Sequence, residues 1–138
     1  MVENKITVQT TVSADIKKVW EYWTLPQHIV HWNFASDDWH CPHAENDLRT
    51  GGKFTSTMAA KSGDMSFDFE GTYEEVIDHQ NIAYSLADGR QVTVEFEGLD
   101  TQTKVTERFD PDTSHSADMQ RAGWQAILDN FRKYVETA

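Results

Sequence analysis

The chain is poor in residues that would force a special architecture. It carries one cysteine, Cys41, in 138 residues. No disulfide can therefore close within the chain, and a reducing compartment, the cytoplasm, is expected. Three prolines and seven glycines form no repeat, low-complexity tract or linker, so the expectation is one domain spanning 1–138. No run approaches the ~18 apolar residues of a membrane span, and Met1-Val2-Glu3-Asn4-Lys5 lacks the basic-then-apolar layout of a signal peptide. Positive charge is also scarce: 12 Lys and Arg face 23 Asp and Glu, a formal net charge of −11. From Glu70 onward the ratio is 14 acids to 6 bases. Such a surface repels phosphate backbones, so neither nucleic acid nor an anionic membrane is an expected partner. The acidity serves solubility, or it attracts a basic partner protein.

What is present is an apolar set, 38% of residues with aromatics at 12%, enough for one real core. Ile6, Val8, Thr10 and Val12 alternate with polar residues as in a half-buried strand. Ser13 is placed to cap a helix, and Asp15 falls in its first turn, where the helix dipole favours a negative charge. Ile16, Val19, Trp20 and Trp23 form its apolar stripe. Pro26 opens a second short helix that the pattern carries to Trp32. Residues 33–45 read as a loop, and strand patterns follow: Phe54, Ser56 and Met58; Met65, Phe67, Phe69, Gly71 and Tyr73; Ile82, Tyr84 and Leu86; Val92, Val94 and Phe96; Val105, Glu107 and Phe109. Asp88-Gly89 predicts a tight primed hairpin. Beyond Pro111 a helix over 116–136 presents Ala117, Gln120, Trp124, Ile127, Leu128, Phe131 and Val135 on one stripe. Antiparallel strands with helices gathered on one side make an α+β fold.

The order of elements carries several local signatures. They are Val19-Trp20, Trp32, Asp47-Leu48-Arg49-Thr50-Gly51-Gly52, Gly71-Thr72-Tyr73-Glu74-Glu75-Val76, and Gly123-Trp124-Gln125-Ala126-Ile127-Leu128-Asp129-Asn130-Phe131. In that order and spacing the chain resembles the AHSA-type branch of the START/Bet v (SRPBCC) superfamily, named for an activator of a heat-shock-protein ATPase. The resemblance covers nearly the whole chain. It implies a helix-grip fold: a curved antiparallel sheet of six to seven strands around the long C-terminal helix, with two short helices after the first strand and a hydrophobic cavity between sheet and helix. It implies a small hydrophobic ligand of lipid, polyketide, aromatic or polycyclic type. It supplies no shared catalytic constellation, and it calls for no cofactor.

Four features carry candidate chemistry. Gly51-Gly52 invites a phosphate-loop reading, but Lys53 leads into a strand pattern and not into a helix, so a bend in the sheet is the expected role, with Asp47 and Arg49 bracing it. His28, His31, His40, Cys41 and His43 cluster in sequence at spacings that match no standard zinc pattern, so no metal is expected. Cys41 beside histidines has the composition of a reactive thiolate, though a lone cysteine needs a depressed pKa to act as one. The fourth is the cavity, for which the candidate ligand-binding residues are Trp20, Trp32, Arg49, Phe67, Phe69, Tyr84, Phe96, Glu107, Gln120, Gly123, Trp124 and Ile127. These aromatics also suit an ordinary filled core. Glu107 shares the inward phase of Val105 and Phe109, so it is expected to meet Arg49, Arg90 or water, or to hold its proton. Gly123 is expected to let ligand or sheet approach the helix backbone.

The leading expectation is therefore a hydrophobic-ligand binder, monomeric or a weak homodimer. A stress-response, co-chaperone-like module that stimulates a heat-shock-protein ATPase is the second. A cyclase- or hydrolase-type enzyme, with Glu107 paired to His31 or His43, is the third.

Overall fold

Residues 5–112 and 116–137 are described in the computed structural model. The stretch Met1–Asn4, whose composition argued against a leader segment, lies outside them. The elements run β1 (Ile6–Val12), α1 (Ile16–Thr24), α2 (Pro26–Ile29), β2 (Trp39–Asn46), β3 (Lys53–Ala60), β4 (Ser66–Ile77), β5 (Asn81–Leu86), β6 (Gln91–Leu99), β7 (Gln102–Phe109) and α3 (Ala117–Thr137). The strands form one antiparallel sheet in the order β1-β7-β6-β5-β4-β3-β2. It is a meander from β2 to β7, and β1 returns to the far edge beside β7. The sheet curls into a half-barrel under the long C-terminal helix, the α+β helix-grip arrangement.

Local chemistry explains most boundaries. The Asp15 carboxylate accepts the Lys18 N–H at 2.9 Å and caps α1. The expected cap, Ser13, instead donates its N–H to the Glu136 carboxylate at the far end of α3 (2.8 Å). Asp15 therefore sits one step outside the first turn, where its oxygen can satisfy an orphan N–H. Pro26 occupies the first turn of α2 as predicted, but the helix stops at Ile29, three residues short of Trp32. The hairpin at Asp88-Gly89 forms, with Gly89 alone at positive φ (+91°). Gly89 closes the turn by donating to the Leu86 carbonyl, and the central residues Ala87 and Asp88 are not at positive φ, so β5 and β6 are joined by an ordinary turn ending in a left-handed glycine.

The largest departure lies in residues 39–46, which form strand β2 and not a loop. β2 is an edge strand, and its register to β3 shifts between His40 and His43. The bulge places Cys41 and Pro42 where alternation breaks, which erases the period-two signal. Cys41 is consequently buried, and its thiol donates to the His43 carbonyl at 3.4 Å. Burial pushes that thiol pKa up, the opposite of an activated nucleophile.

The core sits between the β1-β7-β6-β5 side of the sheet and the helices. Val12, Val19, Val94, Val105, Phe109, Leu128, Phe131 and Val135 are wholly inaccessible to solvent. Trp20 packs edge-on to Phe96, their ring centroids 5.1 Å apart. Trp23, Trp32 and Phe131 interlock at centroid separations of 4.8–4.9 Å. Such offset aromatic contacts combine large apolar burial with favourable edge-to-face geometry.

Candidate functional site: a cavity between sheet and helix

The two glycines of the β2–β3 turn position one wall. Gly51 adopts φ +86° and donates its N–H to the Tyr73 carbonyl (2.8 Å), while the Tyr73 N–H returns to the Gly52 carbonyl (2.8 Å). A Cβ on Gly52 would lie 2.1 Å from the Asp47 carbonyl oxygen, so only glycine fits. Gly52 donates its own N–H to the Arg49 carbonyl. These amides are engaged in the bend, and a strand follows them; no phosphate cradle forms. Arg49 braces the turn as expected, its Nε 3.0 Å from both Asp47 carboxylate oxygens. One strand on, Gly71 lets the Phe54 ring cross the sheet: a Cβ there would meet that ring at 2.6 Å.

Between this end of the sheet and α3 a cavity of about 430 Å³ remains. Trp124 and Ile127 line it from the helix, with Trp23, Ile29 and Trp32 from the α1–α2 side. The sheet supplies Phe54, Ser56 and Met58 from β3, Phe67, Phe69 and Tyr73 from β4, Ile82 and Tyr84 from β5, and Glu107 from β7. Asn33, Glu45, Asn46, Arg90 and Asp112 complete the lining. Trp124 is fixed by stacking on Phe109 (3.8 Å, 12° between planes) and meets Phe69 edge-on at 6.1 Å. Tyr84 packs edge-on against Phe54 at 4.8 Å. Phe67 is half exposed (52%) and stands beside Trp39, centroids 5.9 Å apart.

Of the polar groups in the wall, Asn46, Tyr73, Glu45, Arg90 and Asp112 are paired, whereas Glu107, Tyr84 and Ser56 are unpaired among the described residues. The Tyr73 hydroxyl donates to Asn46 Oδ1 (2.5 Å), and Asn46 Nδ2 donates to the Thr24 carbonyl (2.6 Å). Glu107, only 5% exposed, has no hydrogen bond or ion pair among the described residues, and neither do the side chains of Tyr84 or Ser56. No enclosed side-chain nitrogen or oxygen among the described residues lacks a partner. The Glu107 carboxyl and Tyr84 hydroxyl therefore open onto the cavity space. Desolvation pushes the Glu107 pKa up to about 8. Tyr84 is raised well above its usual value, by burial first and then by the charge of Glu107. Of the two arginines expected to meet Glu107, Arg49 pairs with Asp47 outside the cavity, and Arg90 has its Nε 2.8 Å from Asp88 and its Nη1 3.8 Å from Asp112. With neither arginine on it, burial favours the protonated form of Glu107.

Seven of the twelve residues nominated from sequence line the cavity: Trp32, Phe67, Phe69, Tyr84, Glu107, Trp124 and Ile127. The other five lie elsewhere. Trp20 and Phe96 fill the closed core. The Arg49 side chain is 74% exposed on the outside of the turn. Gln120 is buried but braces the segment before α3, accepting from the Asp112 N–H (2.8 Å) and donating to the Asp112 carbonyl (3.3 Å). Gly123 meets nothing within 4 Å of where a Cβ would stand, so no close approach requires it. The histidines offered as partners for Glu107 are outside as well. His31 stacks on Tyr134 (5.4 Å), and His43 pairs with Glu45 (2.7 Å) on the edge strand. Among the described residues no group of three or more His, Cys, Asp or Glu side chains could hold a metal ion.

Sequence reading missed Trp23, Phe54 and Tyr73, although each carried a signal. Trp23 follows Trp20 by three on one helical stripe, and Phe54 and Tyr73 share the strand phase of Ser56 and Phe69. Asn46 and Glu45 gave none, because β2 was hidden.

The comparisons agree with this architecture. No curated protein matches the chain. Among solved structures, the AHSA1-like protein from Aeromonas hydrophila is 44% identical, with a TM-score of 0.91 over 96% of this chain and 92% of its own. A protein of Cytophaga hutchinsonii is 50% identical, with a TM-score of 0.84 over 97% of this chain and 93% of its own. A Chromobacterium violaceum protein at 20% identity still superposes with a TM-score of 0.86 over 96% of this chain and 98% of its own, a likeness of fold. The family described as Activator of Hsp90 ATPase homolog 1-like protein matches residues 13–136. With nearly the whole chain matched and two relatives above 40% identity, this protein belongs to the Activator of Hsp90 ATPase homolog 1-like family.

Proposed function

We propose that the chain binds a small hydrophobic molecule, aromatic or polycyclic, in the cavity between the sheet and α3. The observation that carries this reading is the unfilled space of about 430 Å³ lined by Trp23, Phe54, Phe69, Tyr84 and Trp124. That volume falls within the usual range of ligand pockets, roughly 300–1,000 Å³, which are mostly apolar with a few placed polar groups. Binding gains from removing apolar ligand surface from water, at roughly 25 cal/mol per Å² before the costs of association. The walls need little rearrangement, since Trp124 is held by Phe109 and Tyr84 by Phe54. One domain working in the cytoplasm, monomeric or as a weak dimer and without a cofactor, completes this reading.

An NMR screen of small aromatic compounds tests it. Hits are expected to shift the indole signal of Trp124 together with the amides of Phe69 and Tyr84. Hits that move only outward-facing residues such as Arg49 or Lys104 would remove the cavity from the function. The family description, with its reference to an ATPase activator, favours a second reading as a protein-binding module. It predicts salt-sensitive binding of a chaperone domain to the acidic surface, unaffected by ligands that shift Trp124.

A further inference from the structure

The polar part of the cavity wall has a chemical character of its own, and an inference from it rests on the ligand-binding reading above. Glu107 on β7 and Tyr84 on β5 both lie on the concave face, 5% and 8% exposed. β6 lies between them, with Val94 opposite Glu107 and Val92 opposite Tyr84. Those two valines are apolar and cannot engage either head group. Neither Glu107 nor Tyr84 has a hydrogen-bond partner among the described residues, and both open onto the same space. We propose that Glu107 and Tyr84 act as a paired donor that selects, among hydrophobic ligands, those carrying an uncharged carbonyl oxygen.

The argument is one of matching. A protonated carboxyl and a phenol each offer an O–H, and a carbonyl oxygen has two lone pairs to accept them. A ligand without an acceptor would displace water from both groups and leave them dry, which lowers its affinity relative to one that pairs them. A carboxylate ligand meets a protein of net charge −11 and a desolvated site. An ammonium ligand would have to ionise a carboxyl whose charged form burial disfavours, and would itself be desolvated. A neutral carbonyl asks for no charge on either side. The titratable and charged groups that share the cavity wall with Glu107 are Tyr84 from β5, Tyr73 from β4, Arg90 from the β5–β6 turn, Asp112 after β7 and Glu45 from β2; α3 contributes the apolar Trp124 and Ile127.

Acetylnaphthalene, ethylnaphthalene and naphthylmethylamine share one ring system and differ in the group they offer the pair. Titrated into the full chain at about pH 6 and followed by the Trp124 indole signal, acetylnaphthalene is expected to bind about tenfold more tightly than ethylnaphthalene. Tyr84→Phe and Glu107→Leu should erase that preference while ethylnaphthalene still binds. Glu107→Gln, which keeps an N–H donor and the side chain's shape, should restore most of it. The wild-type preference should also decline above about pH 8, as Glu107 ionises, and the Gln variant should show no such decline. Equal affinity for the acetyl and ethyl compounds, or tighter binding of the amine, with Trp124 shifted in each case, would overturn the donor pair and leave the cavity reading standing. Failure of all three to shift Trp124 would overturn both. Should Glu107→Leu not fold, Tyr84→Phe and Glu107→Gln carry the same comparison.

Discussion

Leu128 and Ile127 are adjacent on α3, yet they belong to two different regions of the molecule. Leu128 is wholly buried with Phe131 and Val135 against β1 and its neighbours, where helix and sheet interdigitate. Ile127 lies one helical step around and lines the open space above β3, β4 and β5. The same amphipathic helix thus seals one half of the sheet and roofs the other. What differs is the sheet beneath it. The closed half carries compact valines (Val12, Val94, Val105) that are wholly buried in the core shared with the helices. The open half carries long rings whose edges pack on one another, Phe54 on Tyr84 and Phe69 on Trp124, and hold the helix at a distance. An apolar stripe therefore reports that a face is turned inward. Whether that face is filled depends on the partner surface.

The contrast can be broken most forcefully in the closed half. Leu128→Ala should cost about 2–5 kcal/mol, because a fully packed site cannot collapse around the lost atoms. Ile127→Ala should cost about 1 kcal/mol, since one side of that residue already faces space. Chemical denaturation of both variants is the measurement. Equal losses would mean that the two halves are packed alike.

Glu107 sharpens the comparison along the pH axis. Burial pushes its pKa up to about 8 in the folded protein, against an ordinary carboxyl value of 4.5 when unfolded. Between those values the unfolded chain has released a proton that the folded one retains, so stability falls as pH rises through the window, by at most about 1.4 kcal/mol per unit. Wild type should lose stability relative to Glu107→Gln between about pH 5 and about pH 8 and match its trend at lower pH. Parallel stability curves for the two proteins would show that the carboxyl is solvated when folded. The smallest effect belongs to Arg49→Ala. This side chain lies outside both halves and, among the described residues, pairs only with Asp47 across a solvent-exposed turn. The variant should keep the melting temperature and the ligand affinity of the wild type, and a loss of affinity would restore Arg49 to the site.

The same contrast explains what could be read in the sequence. The α+β class and an antiparallel sheet were legible because β1, β5, β6, β7 and α3 carry clean periodic patterns, and the family because its local signatures follow in order; the seventh strand, β2, was not legible. Glu107 was legible because phase alone turned it inward. Position within the interior was not legible: Trp20 and Trp23 sit on one stripe, yet only Trp23 reaches the cavity. Phase fixes a face and says nothing of depth along it, which depends on the sheet's curl. Arg49 was misplaced for a related reason. Its neighbour Gly52 is forced by backbone crowding at Asp47, and that constraint holds the turn without directing the arginine inward.

Strand β2 has a consequence beyond the wall it forms. It is a sheet edge, packed against α2 on one face, and an edge with free backbone groups invites pairing with other chains. Pro42 removes one donor from that edge, the bulge between His40 and His43 breaks its spacing, and His40, His43 and Glu45 crowd it with polar side chains. A second copy approaching this edge finds no continuous ladder to extend. The irregularity that concealed the strand from its own sequence pattern thus serves as protection against aggregation, allowing an open cup to persist in a crowded solution.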